Sequence, residues 1–266
     1  MNIAIIQARC GSSRFPNKVL QELWNGKSVL EILVERLRLS KELDMIVVGT
    51  TTEPEDLQIK ELCDKIGIDC YNVGNRDSAM DTVYKTIQEI KKIIDDKYFN
   101  VIDITADCCL IDPFQIDIII NQYKKYNYNY ISNCMIRSFP IGFDIQIYEN
   151  YYFERINEII KNKNHRVHTG WNIWTHSVQL NSYLQDNLEF PENLFFGNVC
   201  AEDQYFKPDW RIVLDYPEDL ILLKNIINHF NRIDFTYQEI IDYLIDNPKL
   251  LKINENCTQK VAGKDK

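Results

Sequence analysis

The chain has 266 residues, of which 45% are hydrophobic, and a formal net charge of −9. This length and apolar content can form one large domain, and the acidic balance argues against a protein that coats nucleic acid. No apolar run approaches the roughly 18 residues that span a bilayer, and the chain starts with a strand pattern rather than a leader. We therefore expect a cytoplasmic protein with no membrane partner.

Eight cysteines are scattered along the chain, and no two of them form a Cys-x-x-Cys pair. Several of them fall inside strand or helix patterns. This usage is typical of a reduced compartment, and it argues against a disulfide framework or a zinc site.

The first half of the chain alternates short apolar strands with amphipathic helices. Strands are predicted over residues 3–7, 45–50, 69–73 and 100–105. Helices are predicted after a cap at Ser28, from Pro54, around residues 83–94 and after Pro113. This order predicts a three-layer α/β/α fold in which helices cover both faces of a mostly parallel central sheet.

The alternation of apolar strands and amphipathic helices is less regular after Tyr130. Residues 130–148 are consistent with two strands around a turn at Pro140 and Gly142. Residues 164–208 are rich in aromatic side chains and Asn, and we assign no element there. The region over about 130–208 is expected to serve the acceptor side of a site and a contact between two copies of the chain, so a homodimer is one expectation.

Regular patterns return near the C-terminus. A strand is predicted over residues 211–214, followed by a helix from Pro217 and a last helix over about 236–246. We expect one domain over residues 1–253. A flexible tail is expected over residues 254–266, because that stretch lacks apolar periodicity.

The loop after the first strand, "QARCGSSRFPNKVL", concentrates positive charge in an acidic chain. Arg9, Arg14 and Lys18 are separated by small residues at the carboxyl end of a strand, where ligands bind in open α/β sheets. Arginine guanidinium groups can bind phosphate oxygens bidentately, and a lysine adds a compact positive charge, so these residues suit a polyphosphate. Small residues let backbone N–H groups approach the phosphate oxygens. The alternative is an ordinary solvated loop. The small residues are Gly11, Ser12 and Ser13.

Two familiar nucleotide motifs are absent from the sequence. Gly26-Lys27-Ser28 resembles the end of a P-loop, but that motif requires glycine at position 21, which is Gln21. The chain also lacks the G-x-G-x-x-G pattern of dinucleotide-binding proteins, which argues against a nicotinamide enzyme.

Five segments resemble, in the same order, those of the SpsF-like cytidylyltransferases, the spore-coat-polysaccharide relatives of the CMP-KDO and CMP-sialate synthetases. They are "IIQARCGSSRFPNKVL", "DITADCCLIDP", "YISNCMIRSFPIGFDIQIY", "HRVHTG" and "WRIVLDYPEDL". Each match is short, but together they span about residues 1–230. The resemblance implies a nucleotide-diphospho-sugar-transferase-like fold, CTP as the donor and Mg²⁺ as the cofactor.

The resemblance also implies a set of site residues. Arg9, Arg14 and Lys18 would hold the triphosphate and the departing pyrophosphate, and Asp107 and Asp215 would bind Mg²⁺ and complete the catalytic set. Backbone groups around residues 7–9 are expected to read the edge of the pyrimidine. The substrate-binding residues implied are Gln7, Ala8, Gly11, Ser12, Ser13, Asp144, Gln146, Arg166 and His168.

The aspartates have alternative roles. Asp107 could be a loop or cap residue, and Asp215 could cap the helix that starts in "DYPEDL". Asp144 could orient an acceptor hydroxyl, act as a base, or stabilise a turn. Asp112 precedes Pro113 and is predicted to be a helix N-cap, and Asp103 is predicted to be a surface or network residue within its strand.

The chain departs from the family pattern at three places. The Asp-x-Glu segment ends in Gln146, the Arg-Glu-His segment contains Val167, and an Arg expected after Asp81 is Thr82. Two carboxylates are therefore replaced by uncharged side chains. We expect nucleotide binding to persist and the acceptor pocket to favour a more anionic or less cationic acceptor.

These observations predict transfer of CMP from CTP to a small-molecule acceptor, with release of pyrophosphate, in surface polysaccharide biosynthesis. The acceptor is a sugar acid, or a phosphorylated sugar, polyol or phosphonate, and the product is correspondingly CMP-linked or CDP-linked. A glycosyltransferase of similar fold and a catalytically inactive nucleotide-binding subunit are the two alternatives.

Overall fold

The computed structural model describes residues 1–186 and 193–259, and their centre is a seven-stranded sheet. The strands of the described residues are β1 (Asn2–Gln7), β2 (Glu22–Trp24), β3 (Lys27–Ser28), β4 (Met45–Thr51), β5 (Asp69–Gly74), β6 (Asn100–Thr105), β7 (Tyr130–Ser132), β8 (Gln146–Glu149) and β9 (Phe196–Asn198). The sheet has the order β5-β4-β1-β6-β8-β7-β9, and β2 pairs with β3 in a separate hairpin. Strand β8 runs antiparallel to both of its neighbours, whereas the other pairings in the sheet are parallel. The predicted mostly parallel sheet is thus confirmed.

Helices lie on both faces of the sheet. They are α1 (Val29–Leu37), α2 (Leu57–Ile66), α3 (Ala79–Ile90), α4 (Pro113–Tyr126), α5 (Asn150–Ile159), α6 (Trp171–Thr175), α7 (Ser177–Asp186), α8 (Pro217–Phe230) and α9 (Tyr237–Asp246). Alternate residues of β1 point to opposite faces: Ala4 and Ile6 belong to one buried apolar cluster, and Ile3 and Ile5 belong to another. This alternation follows from the two-residue period of a strand.

Local signals set the helix starts. The Ser28 side chain accepts a hydrogen bond from the Glu31 backbone N–H, and the Glu31 carboxylate accepts one from the Ser28 N–H, which forms a capping box. The predicted N-cap role of Asp112 is confirmed, since its carboxylate accepts from the backbone N–H groups of Phe114 and Gln115. Helix α3 starts at Ala79, earlier than predicted, because Ser78 caps it.

The strand predicted over residues 211–214 does not form. Instead, this segment runs extended between two loops: Ile212 N–H donates to the Ile141 carbonyl (2.8 Å) and Leu214 N–H donates to the Asp107 carbonyl (3.0 Å). At Gly142, φ is +112°, and a Cβ atom there would lie 2.2 Å from the Ile212 carbonyl oxygen. The loops bury the apolar side chains of this segment and accept hydrogen bonds from its backbone, so the segment is stable without pairing to a strand of the sheet.

The structure packs the first residue of the predicted tail into the fold. Asn254 is 4% exposed, and its side chain donates to the Arg211 carbonyl (3.0 Å) and to Asp219 Oδ1 (2.8 Å). The packed part of the chain therefore extends beyond residue 253. Residues 260–266 of the predicted tail lie outside the described residues.

Candidate functional site

A cavity of about 510 Å³ opens at the carboxyl ends of β1, β4 and β6. Every residue predicted for the nucleotide side lines it. These are Gln7, Ala8, Arg9, Gly11, Ser12, Ser13, Arg14, Lys18, Asp107 and Asp215. The parallel strands place their carboxyl ends at one edge of the sheet, which is where open α/β sheets bind ligands.

The loop after β1 is curled around Cys10. The Cys10 carbonyl accepts hydrogen bonds from the N–H groups of Ser12 (2.8 Å) and Asn17 (2.9 Å), and Asn17 adopts φ of +55°. The Cys10 N–H donates to the buried carboxylate of Asp56 (2.6 Å). Sequence reasoning did not single out Asp56, whose role depends on a contact between residues 46 positions apart.

Lys18 lies between the two aspartates that were predicted to share a metal ion. Its Nζ is 2.8 Å from Asp107 Oδ2, 2.9 Å from Asp215 Oδ1 and 2.7 Å from the Leu214 carbonyl oxygen. Burial lowers the pKa of Lys18, but the carboxylates of Asp107 and Asp215 outweigh burial and raise it. Burial likewise opposes ionisation of Asp107, but Lys18 lowers the pKa of that carboxyl below its usual value.

Asp215 is held by two arginines as well. Arg14 Nη2 lies 2.7 Å from Asp215 Oδ1, and Arg211 Nη2 lies 3.2 Å from Oδ2. Arg211 also pairs with the fully buried Asp219 (2.9 Å), whose carboxylate accepts from the backbone N–H groups of Asp215 and Tyr216. Asp219 therefore serves the start of α8, and the Asp215 side chain is directed to the cations rather than to a helix cap.

The two aspartates fit a shared divalent cation. Both carboxylates lie within 2.9 Å of one nitrogen, so their nearest oxygens are less than about 6 Å apart. Within residues 1–186 and 193–259, no cluster of three or more His, Cys, Asp or Glu side chains is arranged for a metal. Mg²⁺ commonly takes one or two carboxylates and completes its shell with waters and substrate phosphates. A pair of carboxylates beside the cation-rich loop after β1 suits that ion.

The rim of the cavity carries a fourth cation, which sequence reasoning missed. Arg76 follows β5, and its backbone carbonyl accepts a hydrogen bond from the exposed guanidinium of Arg9. Arg76 also lines the cavity and lies 3.7 Å from Glu55. Its position after a parallel strand was the available signal, because loops at these strand ends meet.

Part of the cavity wall is formed by uncharged residues. Gly49, Ala79, Thr82 and Val167 line it. A Cβ atom on Gly74 would lie 2.0 Å from Thr82 Oγ1, so glycine lets α3 approach the end of β5 closely. The replacement of an expected arginine by Thr82 thus places an uncharged side chain on this wall.

Asp144 forms a bidentate ion pair with Arg137, and neither residue lines the cavity. The two guanidinium nitrogens of Arg137 lie 2.6 and 2.8 Å from the two oxygens of Asp144. The Cys108 thiol lies near the carboxylates of Asp107 and Asp144, and burial and then these two carboxylates raise its pKa. Both oxygens of Asp144 are engaged, so its direct role here is to hold Arg137.

Three other predicted acceptor residues also lie outside the cavity lining. Gln146 Oε1 accepts from the Tyr130 hydroxyl (2.9 Å). The Arg166 guanidinium donates to the Ile160 carbonyl (2.8 Å), a contact within the same part of the chain. The His168 ring packs edge-on against the Trp171 ring. From the "HRVHTG" segment, Val167 reaches the cavity lining.

Comparison with known proteins identifies the family. Residues 3–140, which contain the cation loop and Asp107, match the cytidylyltransferase family. The chain belongs to the cytidylyltransferase family. It is accordingly a CTP-dependent cytidylyltransferase, as the family resemblance implied.

Relatives of similar length support this assignment. An uncharacterized protein of Methanocaldococcus jannaschii is 31% identical over 97% of this chain and 96% of its own length. The spore coat polysaccharide biosynthesis protein SpsF of Bacillus subtilis is 27% identical over 92% of this chain and 94% of its own. The 8-amino-3,8-dideoxy-manno-octulosonate cytidylyltransferase of Shewanella loihica is 36% identical, but over 47% of this chain and 49% of its own.

Solved structures show the same fold. A cytidylyltransferase from Leptospira borgpetersenii is similar with a TM-score of 0.77 and 25% identity, covering 98% of both chains. A CMP:2-keto-3-deoxy-manno-octonic acid synthetase, solved with CTP, has a TM-score of 0.57 at 13% identity, covering 86% of this chain and 99% of its own. The second likeness extends to the fold alone. Within the described residues, no helix has the length and apolar character to cross a membrane.

Proposed function

We propose that this cytidylyltransferase transfers CMP to a small anionic acceptor: a sugar acid, or a phosphorylated sugar, polyol or phosphonate. The observation that carries the proposal is the position of Lys18, which joins the two carboxylates at the charged end of the cavity. That end suits a triphosphate and its metal ion. In the reaction, an acceptor oxygen forms a bond to the α-phosphorus, the bond from that phosphorus to the β-phosphate oxygen breaks, and pyrophosphate leaves.

The protein contributes charge and position to this step. Arg9, Arg14 and Lys18 would bind the phosphates and neutralise the charge that develops on the leaving pyrophosphate. Asp107 and Asp215 would hold Mg²⁺, which supplies further neutralisation of the phosphate oxygens when it is bound. In the structure Arg14 and Lys18 pair with Asp215, and a bound triphosphate would offer them alternative anions.

An anionic acceptor is supported by the Arg137–Asp144 pair, which lies near Cys108, the residue that follows Asp107. The Arg137 side chain is 30% exposed, and its guanidinium has N–H groups beyond the two that bind Asp144, which suit a carboxylate or a phosphate. The neighbouring Gln146 and Val167 add no negative charge that would repel such an acceptor. A role in surface polysaccharide biosynthesis is supported by the similarity to the spore coat protein SpsF. Cytoplasmic location and a homodimer through residues 130–208 stay predictions.

The test measures pyrophosphate release from CTP and Mg²⁺ with sugar acids, phosphorylated sugars and polyols, and phosphonates, each against its neutral counterpart. We expect release with an anionic acceptor, and a raised KM for that acceptor in Arg137→Gln with little change in the KM for CTP. Arg232→Gln is a matched control, because Arg232 forms a comparable ion pair with Asp234 (2.8 Å) in the connection between α8 and α9. Release with neutral acceptors alone would contradict the proposal. Transfer from a nucleotide sugar would identify a glycosyltransferase, and nucleotide binding without turnover would identify an inactive subunit.

A further inference from the structure

A buried carboxylate lies below the floor of the cavity. Asp103, on β6, is 2% exposed. It accepts hydrogen bonds from the Tyr148 hydroxyl (2.8 Å), from the Gly170 backbone N–H (3.1 Å) and from the side-chain amide of Gln7 at the end of β1. Asp103 thus joins the strand that leads into the cation loop to the segment that carries Val167.

This carboxylate fixes the direction of the Gln7 amide. Gln7 Nε2 donates to Asp103 Oδ1 and to Thr169 Oγ1 (3.2 Å). Burial raises the pKa of Asp103, while the hydrogen bonds that it accepts favour its ionised form. In that form the carboxylate can only accept, so the NH₂ group faces Asp103 and the amide oxygen faces away from it. Among the described residues, no hydrogen bond uses Gln7 Oε1, and Gln7 lines the cavity. A residue of the cavity lining therefore carries a side-chain acceptor that the described part of the protein does not use.

The backbone of the same segment is largely committed to the sheet. The Ala8 N–H donates to the Gly49 carbonyl (3.1 Å), and the Gln7 carbonyl accepts from the Ala106 N–H (3.0 Å). These two groups therefore contribute less to reading a base edge than the sequence suggested. The Gln7 side chain offers an acceptor that the sheet does not use.

We propose that Gln7 is a specificity residue that accepts a hydrogen bond from the exocyclic amine of cytosine, and that Asp103 is the positioning residue that holds Gln7 in this orientation. The proposal rests on the proposed placement of the triphosphate at Lys18. With the phosphates at Lys18, the base would lie toward the part of the lining that includes the uncharged residues Gly49, Ala79 and Thr82. Uracil would present a carbonyl oxygen to Gln7 Oε1, and two facing acceptors would leave both unsatisfied.

The experiment is calorimetric titration of the protein with CTP and with UTP, each with Mg²⁺ and without an acceptor. Gln7→Met keeps the length of the side chain but removes the acceptor, so we expect CTP to bind roughly 10-fold more weakly while UTP changes little. Asp103→Asn can donate to Gln7, which allows the amide to rotate and present N–H to uracil. The CTP/UTP affinity ratio should then fall by roughly 10-fold or more.

Tyr148→Phe is the matched control. It removes another hydrogen bond to Asp103 but leaves both partners of Gln7 Nε2 in place. It should keep the CTP/UTP ratio of the wild type, whereas a general loosening of the network would lower both affinities in all three variants. Thermal unfolding confirms that each variant is folded before titration, and Asp103→Asn tests the idea if Gln7→Met does not fold.

The outcomes separate this inference from the proposed function. Equal binding of CTP and UTP by the wild type, or an unchanged ratio in both test variants, would overturn the role of Gln7 and leave the triphosphate site standing. Equal losses for both nucleotides would show a structural role and also overturn it. If the wild type binds neither nucleotide, the proposed triphosphate site falls as well.

Discussion

Replacing Lys18 by methionine should destabilise the protein and create a site at which Mg²⁺ restores stability. Lys18 is the cation shared by Asp107 and Asp215, and its side chain is 12% exposed. Methionine retains most of the apolar stem but removes the charge. The two carboxylates would then face each other with less compensation, which favours either protonation or a bound cation.

The size of the effect follows from how buried each partner is. Removing one partner of a buried ion pair costs roughly 3–5 kcal/mol. Two features reduce this figure here: the Asp107 side chain is 25% exposed, and Asp215 keeps its contacts with Arg14 and Arg211. We therefore expect Lys18→Met to lower the free energy of unfolding by about 2–3 kcal/mol in the absence of a divalent cation.

The assay is urea unfolding of wild type and variant with EDTA and with Mg²⁺. Mg²⁺ should stabilise the variant more than the wild type, because in the wild type the ion competes with Lys18 for the same carboxylates. Lys27→Met is the control, since Lys27 pairs with Glu35 at 41% exposure and should cost less than about 1 kcal/mol. Equal losses in the two variants, or no effect of Mg²⁺ on Lys18→Met, would refute this reasoning.

Three further predictions concern the carboxylates. Asp107→Asn and Asp215→Asn should each abolish Mg²⁺-dependent release of pyrophosphate from CTP while circular dichroism shows a folded protein; full activity of either variant would exclude that residue from the metal site. Asp219→Asn should lower the free energy of unfolding by roughly 3–5 kcal/mol, because it leaves the Arg211 charge buried with a weaker partner, whereas the exposed Asp64→Asn should cost less than about 1 kcal/mol. The lowered pKa of Asp107 in the fold means that its stabilising contribution is present above its unfolded pKa of about 3.9 and is lost as pH falls through and below that value. Urea unfolding between about pH 6 and pH 3 should therefore show a smaller loss of stability in Asp107→Asn than in the wild type, and parallel curves would contradict the assigned pKa shift.

Much of the architecture was predictable because its signals are local. Strands β1, β4 and β6 are short apolar runs, β5 carries a weaker pattern, and the helices that follow begin at caps such as Ser28 and Asp112. A period of two or of 3.6 residues and a cap are properties of a few neighbouring residues, so they can be identified without knowing the fold. The alternation of the two patterns then favours a parallel sheet.

The cation loop was predictable for the same reason. Arg9, Arg14 and Lys18 lie within ten residues directly after a strand, and in parallel sheets that edge is where ligands bind. The pairing of Asp107 with Asp215 was implied by family resemblance, and their spacing alone did not indicate it. The resemblance was less informative for Arg166 and His168, which lie outside the cavity lining.

What the tertiary structure decided are contacts between residues far apart in the chain. Lys18 meets Asp107 and Asp215 across separations of 89 and 197 residues, and Gln7 meets Asp103 and Thr169 across 96 and 162. Such contacts depend on strand order and on the path of loops, which periodicity does not specify.

The segment over residues 211–214 shows that periodicity can also predict an element that the tertiary structure does not form. Its apolar sequence is typical of a strand, but the loops at Ile141 and Asp107 supply the hydrogen bonds that a sheet would have supplied. A short apolar run records only that its side chains are buried and that its backbone must be hydrogen-bonded. Which partners satisfy those groups is decided by the elements that surround the run, and these are assembled from the whole chain.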